Sequence, residues 1–321
     1  MELPKKRITF AKPKEKPNMK LAFLISAHND PTQLKRLIAS LPTNAVFIVH
    51  IDAKADIKPF TSLIADARVC FIEDRTDVMW GSIGVVEAQM KMIRKALEFH
   101  RQEPIDYFVS LSGLDYPLRS NEYLESFFKE HQGREWIVTL CMEGQGEAAR
   151  LYREHRYFNY KSWKYGTLKS KFRVALRKMS YALGIRKKLR FRDGGREYVL
   201  HKGSMWWAIS PELARLALSY WDEHPQYVRY FYDGFAPDET FIPTLTAHSP
   251  FAEKAVCIEG RFNGLESLTP LTCIDYTNGS KVFTEVDYDQ LIGSDKLFCR
   301  KVVTGKSDRL MDMIDQHRVT H

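Results

Sequence analysis

Cysteine is sparse in this chain: five residues in 321, Cys70, Cys141, Cys257, Cys273 and Cys299. The number is odd and no two are spaced as CxxC, so neither a disulfide framework nor a zinc site is expected. Reduced, mostly buried thiols are the simpler reading. The chain also lacks any run of about 18 apolar residues, which a transmembrane helix needs. Residues 1–18 carry Lys and Pro but no apolar h-region, so they read as a flexible basic arm rather than a signal peptide. HExxH and GxSxG are absent, and the glycines near Arg75 to Gly84 fit neither GxGxxG nor GxxxxGK[ST]. One Asp-x-Asp exists, Asp287-Tyr-Asp289. It falls at an expected helix start, not after a central strand, and reads as a cap rather than a metal site.

What is present points to a sizeable core. Hydrophobic residues make up 44% and aromatics 12%, which argues against global disorder. The net charge of +8 suits a partner carrying phosphate: a nucleotide diphosphate, a nucleic acid or an anionic membrane. Continuous apolar runs at 20–27, 45–51, 69–72 and 105–111 read as buried strands. Helical spacing between them (Leu34, Leu37, Ile38, Leu41; then Val86, Met90, Ile93, Leu97) marks helices. Alternation of this kind predicts an α/β fold, a mostly parallel central sheet flanked by helices. Ligands of such sheets sit beyond the carboxyl ends of the strands, which directs attention to His28 to Asp30, Asp52 to Lys54 and Ser112 to Tyr116.

Four constellations carry candidate chemistry, each with a plain structural alternative. Asp115 directly follows a strand, where it could accept hydrogen bonds from sugar hydroxyls or cap the helix beginning near Ser120. Trp80 lies in Val78-Met-Trp-Gly-Ser82, an anion-presenting helix entry or a loop with a packed Trp. Asp238 and Glu239 in Ala236-Pro-Asp-Glu239 could merely favour a helix dipole, or Glu239 could act as a general base. Lys281, Arg300 and Lys301 could neutralise a departing diphosphate or be solvated surface cations. Residues 161–197 are dense in Lys and Arg. Within them Leu168, Phe172, Ala175, Leu176, Met179 and Leu183 fit one helical face. That face either packs on the domain or belongs to a surface that meets an anionic membrane.

Taken in order, seven stretches resemble the core-2/I-branching β-1,6-N-acetylglucosaminyltransferase family, which also contains the peptide O-xylosyltransferases. They are Ala27-His-Asn-Asp-Pro31, Val49-His-Ile-Asp-Ala-Lys54, Val78-Met-Trp-Gly-Ser82, Leu111-Ser-Gly-Leu-Asp-Tyr-Pro-Leu118, Gly203-Ser-Met-Trp-Trp207, Ala236-Pro-Asp-Glu239 and Leu297-Phe-Cys-Arg-Lys301. The resemblance runs from about residue 20 to 303. It implies one GT-A-like nucleotide-sugar transferase domain over 19–303, with a basic helical insertion at 161–197 and a C-terminal tail at 304–321. It implies an inverting displacement with a UDP-sugar donor and no cofactor or divalent metal. Glu239 is then the base. His28, Asp52, Trp80, Asp115, Lys281, Arg300 and Lys301 would serve the donor, and Trp206, Trp207 and Asp238 the acceptor. One of the two tryptophans could instead be core. Lys281 falls where the animal enzymes have an Arg, so the bidentate fork is lost there. Without the anchor and disulfides of those enzymes, the chain resembles a shorter bacterial, cytoplasmic form. Its acceptor would be a glycan or lipid-linked oligosaccharide, and its contact with the inner membrane face peripheral. UDP-xylose as donor is the first alternative. A nucleic-acid-binding module and a non-catalytic carbohydrate-binding scaffold are the others; nucleic acid is not the expected partner.

Overall fold

A computed structural model of the chain describes residues 19–161, 163, 166–277 and 279–320; the basic arm expected at 1–18 lies outside them. The first half alternates β1 (Leu21–Ala27), α1 (Pro31–Ser40), β2 (Val46–Ile51), α2 (Lys58–Leu63), β3 (Val69–Phe71), α3 (Ile83–Gln102) and β4 (Tyr107–Ser112). A short β5 (Asp115–Pro117), α4 (Asn121–Glu130) and β6 (Glu135–Cys141) follow. The middle holds α5 (Leu168–Ala182), a hairpin of β7 (Arg190–Asp193) and β8 (Arg196–Val199), then β9 (His201–Lys202) and β10 (Ala208–Ile209). The last third comprises α6 (Pro211–Glu223), α7 (Pro225–Tyr232), α8 (Phe241–Ala247), β11 (Ala255–Ile258), β12 (Thr272–Ile274), α9 (Tyr288–Ile292), β13 (Phe298–Arg300) and α10 (Asp308–Thr320).

The main sheet runs β11-β6-β10-β4-β1-β2-β3, with β9 added against β6. β1 pairs in parallel with both β2 and β4, so the chain reverses its order of winding beside β1. Two short strands depart from the parallel order: β10 is antiparallel to both β4 and β6, and β9 is antiparallel to β6. Side chains of β1 alternate between two cores: Ala22 and Leu24 pack with α3, while Leu21, Phe23 and Ile25 pack with α1. Both faces are thus covered, which accounts for the unbroken apolar strands. Local signals set the helix starts. Asp30 accepts from the Gln33 N–H at 3.0 Å with Pro31 opening α1, and Ser82 and Ser120 cap α3 and α4.

A second sheet, β12-β13-β5, carries the C-terminal basic residues back to the end of β4. β13 is antiparallel to β5, with Arg300 opposite Asp115.

The structure bears on three sequence expectations. The segment expected as a tail carries α10, which buries Leu310, Met311 and Ile314 against Tyr116, Leu118 and Phe283. Of the two readings of the apolar face of α5, packing on the domain fails, since Leu168, Phe172, Met179 and Leu183 are exposed. The thiols are free, but only Cys299 is buried and Cys257 is exposed.

His50 shows how the interior fixes a loop. Its buried Nε2 accepts the Thr76 N–H at 2.9 Å, which requires the neutral ring. Burial, reinforced by Lys91, holds its pKa down at about 4, and burial likewise lowers His201 and His248. With folded values below the unfolded value of about 6.5, stability is fully present above that pH and is lost as pH falls towards the folded values. Thermal unfolding followed from pH 7 to 5 should show a falling midpoint. His50→Gln, which keeps an acceptor but cannot titrate, should flatten that slope.

Candidate functional site

Asp115 stands at the crossing of the two sheets and is 0% exposed. Its Oδ1 accepts from Ser112 Oγ at 2.6 Å and Arg300 Nη1 at 3.1 Å. Its Oδ2 accepts from the Ser112 N–H at 2.8 Å and Trp206 Nε1 at 3.0 Å. The capping alternative for Asp115 falls away, since Ser120 is the cap, and both of its carboxylate oxygens are occupied by protein donors. Its work is to aim two other side chains. Arg300 lies over the Trp206 ring at 5.0 Å and also bonds Ser112 Oγ. Both Arg300 and Lys301 act on His28. Its pKa lies below the ordinary value through partial desolvation first, with Arg300, Lys301 and Lys54 adding to the effect and Asp52 opposing it.

Lys281 has a carboxylate partner of its own. Its ammonium bonds the buried Asp287 at 2.6 Å, and Asp287 closes a capping box with Thr284. The Asp-x-Asp segment is thus a cap, as expected, and Lys281 is the cation it holds.

At the end of β2, Asp52 accepts from Lys54 Nζ at 3.0 Å and from the Val78 N–H at 3.4 Å. Lys54 also bonds Asp77, and the Val78 carbonyl at 2.6 Å. The Val78 to Ser82 loop is thereby held against the first strand ends. Trp80 in that loop is 81% exposed, touching Phe235 edge-on at 6.0 Å, so the packed-Trp alternative fails.

Glu239 closes a short 3-10 turn, Pro237–Glu239, entered through Ala236 at φ 44°. Its half-buried Oε2 accepts from Lys202 Nζ at 2.7 Å and Tyr152 Oη at 3.2 Å, and Lys202 also bonds the tyrosine oxygen at 2.6 Å. Among the described residues no hydrogen bond reaches Oε1. Neighbouring Asp238 has its pKa pushed up, by burial first and by Glu239 second; its Oδ1 is buried without a partner. Tyr276 links the two halves. Burial raises its pKa, the charges of Glu239, Asp115 and Asp238 add to the effect, and Arg300 opposes it.

The segment 202–207 spans that same gap. Lys202 reaches Glu239, the Gly203 N–H donates to the Glu239 carbonyl at 2.7 Å, and Trp206 bonds Asp115. Of the two tryptophans, Trp207 is the one that belongs to the core, at 1% exposure, as the alternative reading allowed. Sequence reasoning missed Lys202, Tyr152 and Tyr276. Lys202 adjoins the Gly203 motif, the one local signal that could have drawn attention to it. Surface depressions of about 430 and 460 Å3 lie elsewhere, beside Arg119 and between α3 and Trp221. Among the described residues no group of three or more His, Cys, Asp or Glu side chains forms a metal-ligand set.

A mostly parallel sheet flanked by helices, with polar side chains gathered at its strand ends, is consistent with a GT-A-like glycosyltransferase fold. Residues 21–288 match the core-2/I-branching enzyme family, to which the chain belongs. Xylosyltransferase 1 of Rattus norvegicus is 23% identical over 126 residues, 37% of this chain and 15% of that protein. Xylosyltransferase 2 of Homo sapiens is 25% identical over 132 residues, 39% of this chain and 15% of that protein. The N-acetyllactosaminide beta-1,6-N-acetylglucosaminyl-transferase of Homo sapiens is 24% identical over 127 residues, 37% of this chain and 31% of that protein. The matched part is thus under a third of each relative's length.

A Cβ on Gly203 would meet the Val138 carbonyl oxygen at 2.3 Å and Pro243 at 2.9 Å. Gly203→Ala should therefore push the segment off β6, destabilise the fold by roughly 1–3 kcal/mol as overpacking does, and displace Glu239. Denaturant unfolding checks the first effect. Lys202→Met should cost about 2–3 kcal/mol through the uncompensated carboxylate, measured the same way.

Proposed function

We propose that the chain is an inverting glycosyltransferase that moves a sugar from a UDP-sugar to a hydroxyl of a glycan or lipid-linked oligosaccharide, without a divalent metal. GlcNAc is the first candidate sugar. The observation that carries this reading is one accessible carboxylate, Glu239, tied through Lys202 and Trp206 of one short segment to the Asp115 junction that holds the Arg300 guanidinium.

In the proposed reaction Glu239 Oε1 takes the proton of the acceptor hydroxyl. The acceptor oxygen bonds to the anomeric carbon from the face opposite the diphosphate. The bond from that carbon to the phosphate oxygen breaks, and its electron pair leaves with UDP. Arg300 and Lys301 offset the charge on the departing diphosphate, the part an Arg/Lys clamp takes elsewhere. Lys202 and Tyr152 hold Oε2 so that the other oxygen stays aimed at the hydroxyl. His28 and Asp52, at the ends of β1 and β2, would bind the nucleoside, where α/β sheets take such ligands. Trp206 and the exposed Trp80 offer aromatic faces to sugar C–H groups. The assignment of Lys281 to the diphosphate is weakened by its bond to Asp287. Xylose is the alternative donor sugar, favoured by the names of the xylosyltransferases among the relatives.

General-base catalysis is worth about 10²–10⁴-fold. Glu239→Gln should lower turnover by about that factor while UDP binding, measured by calorimetry, is kept. Near-normal turnover would remove Glu239 from the role, and a chain that never turned over would be a binding scaffold. Asp238→Asn mimics the neutral form that burial favours and should cost less than about ten-fold in the same assay. EDTA should leave turnover unchanged; dependence on added divalent metal would contradict the cation pair.

A further inference from the structure

α5 is turned inside out. At about 100° per residue, Leu168, Phe172, Ala175, Met179 and Leu183 fall on one stripe, and all five are exposed, Leu168 by 84%, Leu183 by 69%, Phe172 by 57% and Met179 by 55%. The opposite face, which meets the protein, is polar. Ser170 and Ser180 are buried there, Arg177 pairs with Glu154 at 3.4 Å, and Arg173 donates to the Lys161 carbonyl at 3.4 Å. A helix that lays its polar side on the domain and its leucines in solvent has reversed the usual amphipathic order. Single exposed apolar residues are ordinary, but a contiguous stripe marks an interaction surface.

The flanks of the stripe say what it meets. Lys169 lies on one side and Lys171 and Lys178 on the other, all exposed, with exposed Arg186 and Lys188 just beyond the helix. Residues 155–192 contain thirteen Lys and Arg and no Asp or Glu. Two copies meeting through this face would bring like charges together, so self-association is disfavoured. A nucleic acid would satisfy the cations but not the central leucines. An anionic bilayer satisfies both, taking the apolar stripe at the headgroup–acyl boundary while lysine stems lie along it and their ammonium groups reach phosphates. Among the described residues no helix is long and apolar enough to cross a membrane, so the contact is a surface one.

We propose that the outer face of α5 docks on an anionic lipid bilayer, with Leu168, Phe172, Met179 and Leu183 inserted and Lys169, Lys171 and Lys178 on lipid phosphates. α5 rests through Arg177 on Glu154, two residues beyond Tyr152, the tyrosine that bonds Glu239. The docked face and the carboxylate therefore share one support. The proposal does not depend on which sugar is transferred.

Flotation of the full chain with vesicles tests it. Binding is expected to phosphatidylglycerol–phosphatidylcholine vesicles, with little to phosphatidylcholine alone and weakening as salt is raised. Leu168→Ser combined with Phe172→Ser and Met179→Ser should lower the bound fraction at least ten-fold while the unfolding midpoint and UDP binding stay unchanged, since these side chains touch neither core nor site. Three results would overturn the proposal. The wild-type chain could fail to float with anionic vesicles. The triple variant could float as well as wild type. Or the wild-type chain could bind only duplex DNA or RNA, or form a dimer that the triple variant disperses, with no vesicle binding.

Discussion

A lysine ammonium buried to this depth is stable only beside a negative partner, and Lys202 has Glu239 at 2.7 Å. The ammonium would not be tolerated alone in such surroundings, whereas the carboxylate keeps part of its surface open. The pair fixes the carboxylate by one oxygen and, with Tyr152, fills the space behind it. It also fixes the chain, because Lys202 opens the segment whose next residues carry Gly203 against β6 and Trp206 to Asp115. Glu239 and Arg300 come from stretches about sixty residues apart in sequence. What keeps them in register is this six-residue bridge, not a direct contact between them.

The fold supplies the other half of that register. Parallel strands β1, β2 and β4 end on the same edge, which brings His28, Asp52 and Ser112 together. The short second sheet then returns β13 antiparallel to β5, so Arg300 meets Asp115. Asp115 spends its whole hydrogen-bonding capacity on this junction. A buried carboxylate satisfied by four donors is rigid, and that rigidity passes to the guanidinium and the indole it holds. α10, packed over Tyr116 and Leu118, closes the second sheet from the outside.

The parallel core was legible because its strands are buried on both faces and read as unbroken apolar runs, and its helices carry ordinary caps such as Ser82 and Ser120. β10 was not, because two residues give no periodicity. α10 was not seen as a helix because its apolar residues are few and spaced among acids and cations. The orientation of α5 stayed open: the 3.6-residue period identifies an apolar stripe but does not say whether protein or solvent lies against it. In the site, motif order singled out Glu239 and Arg300. It did not reveal that Asp115 is sealed from solvent, which of the two tryptophans is core, or that Lys281 is paired with Asp287. Each of those depends on which way a side chain turns in three dimensions. Lys202 and Tyr152 were invisible for the same reason, as no local spacing links either to Glu239.

The most direct measurement is a crystal structure of the chain with UDP bound. The account predicts diphosphate oxygens within about 3 Å, hydrogen-bond distance, of Arg300 or Lys301, the nucleoside beside His28 and Asp52, and Glu239 facing the position where the anomeric carbon would stand. A diphosphate bound away from Arg300 and Lys301, with Glu239 turned into a separate cavity, would contradict it.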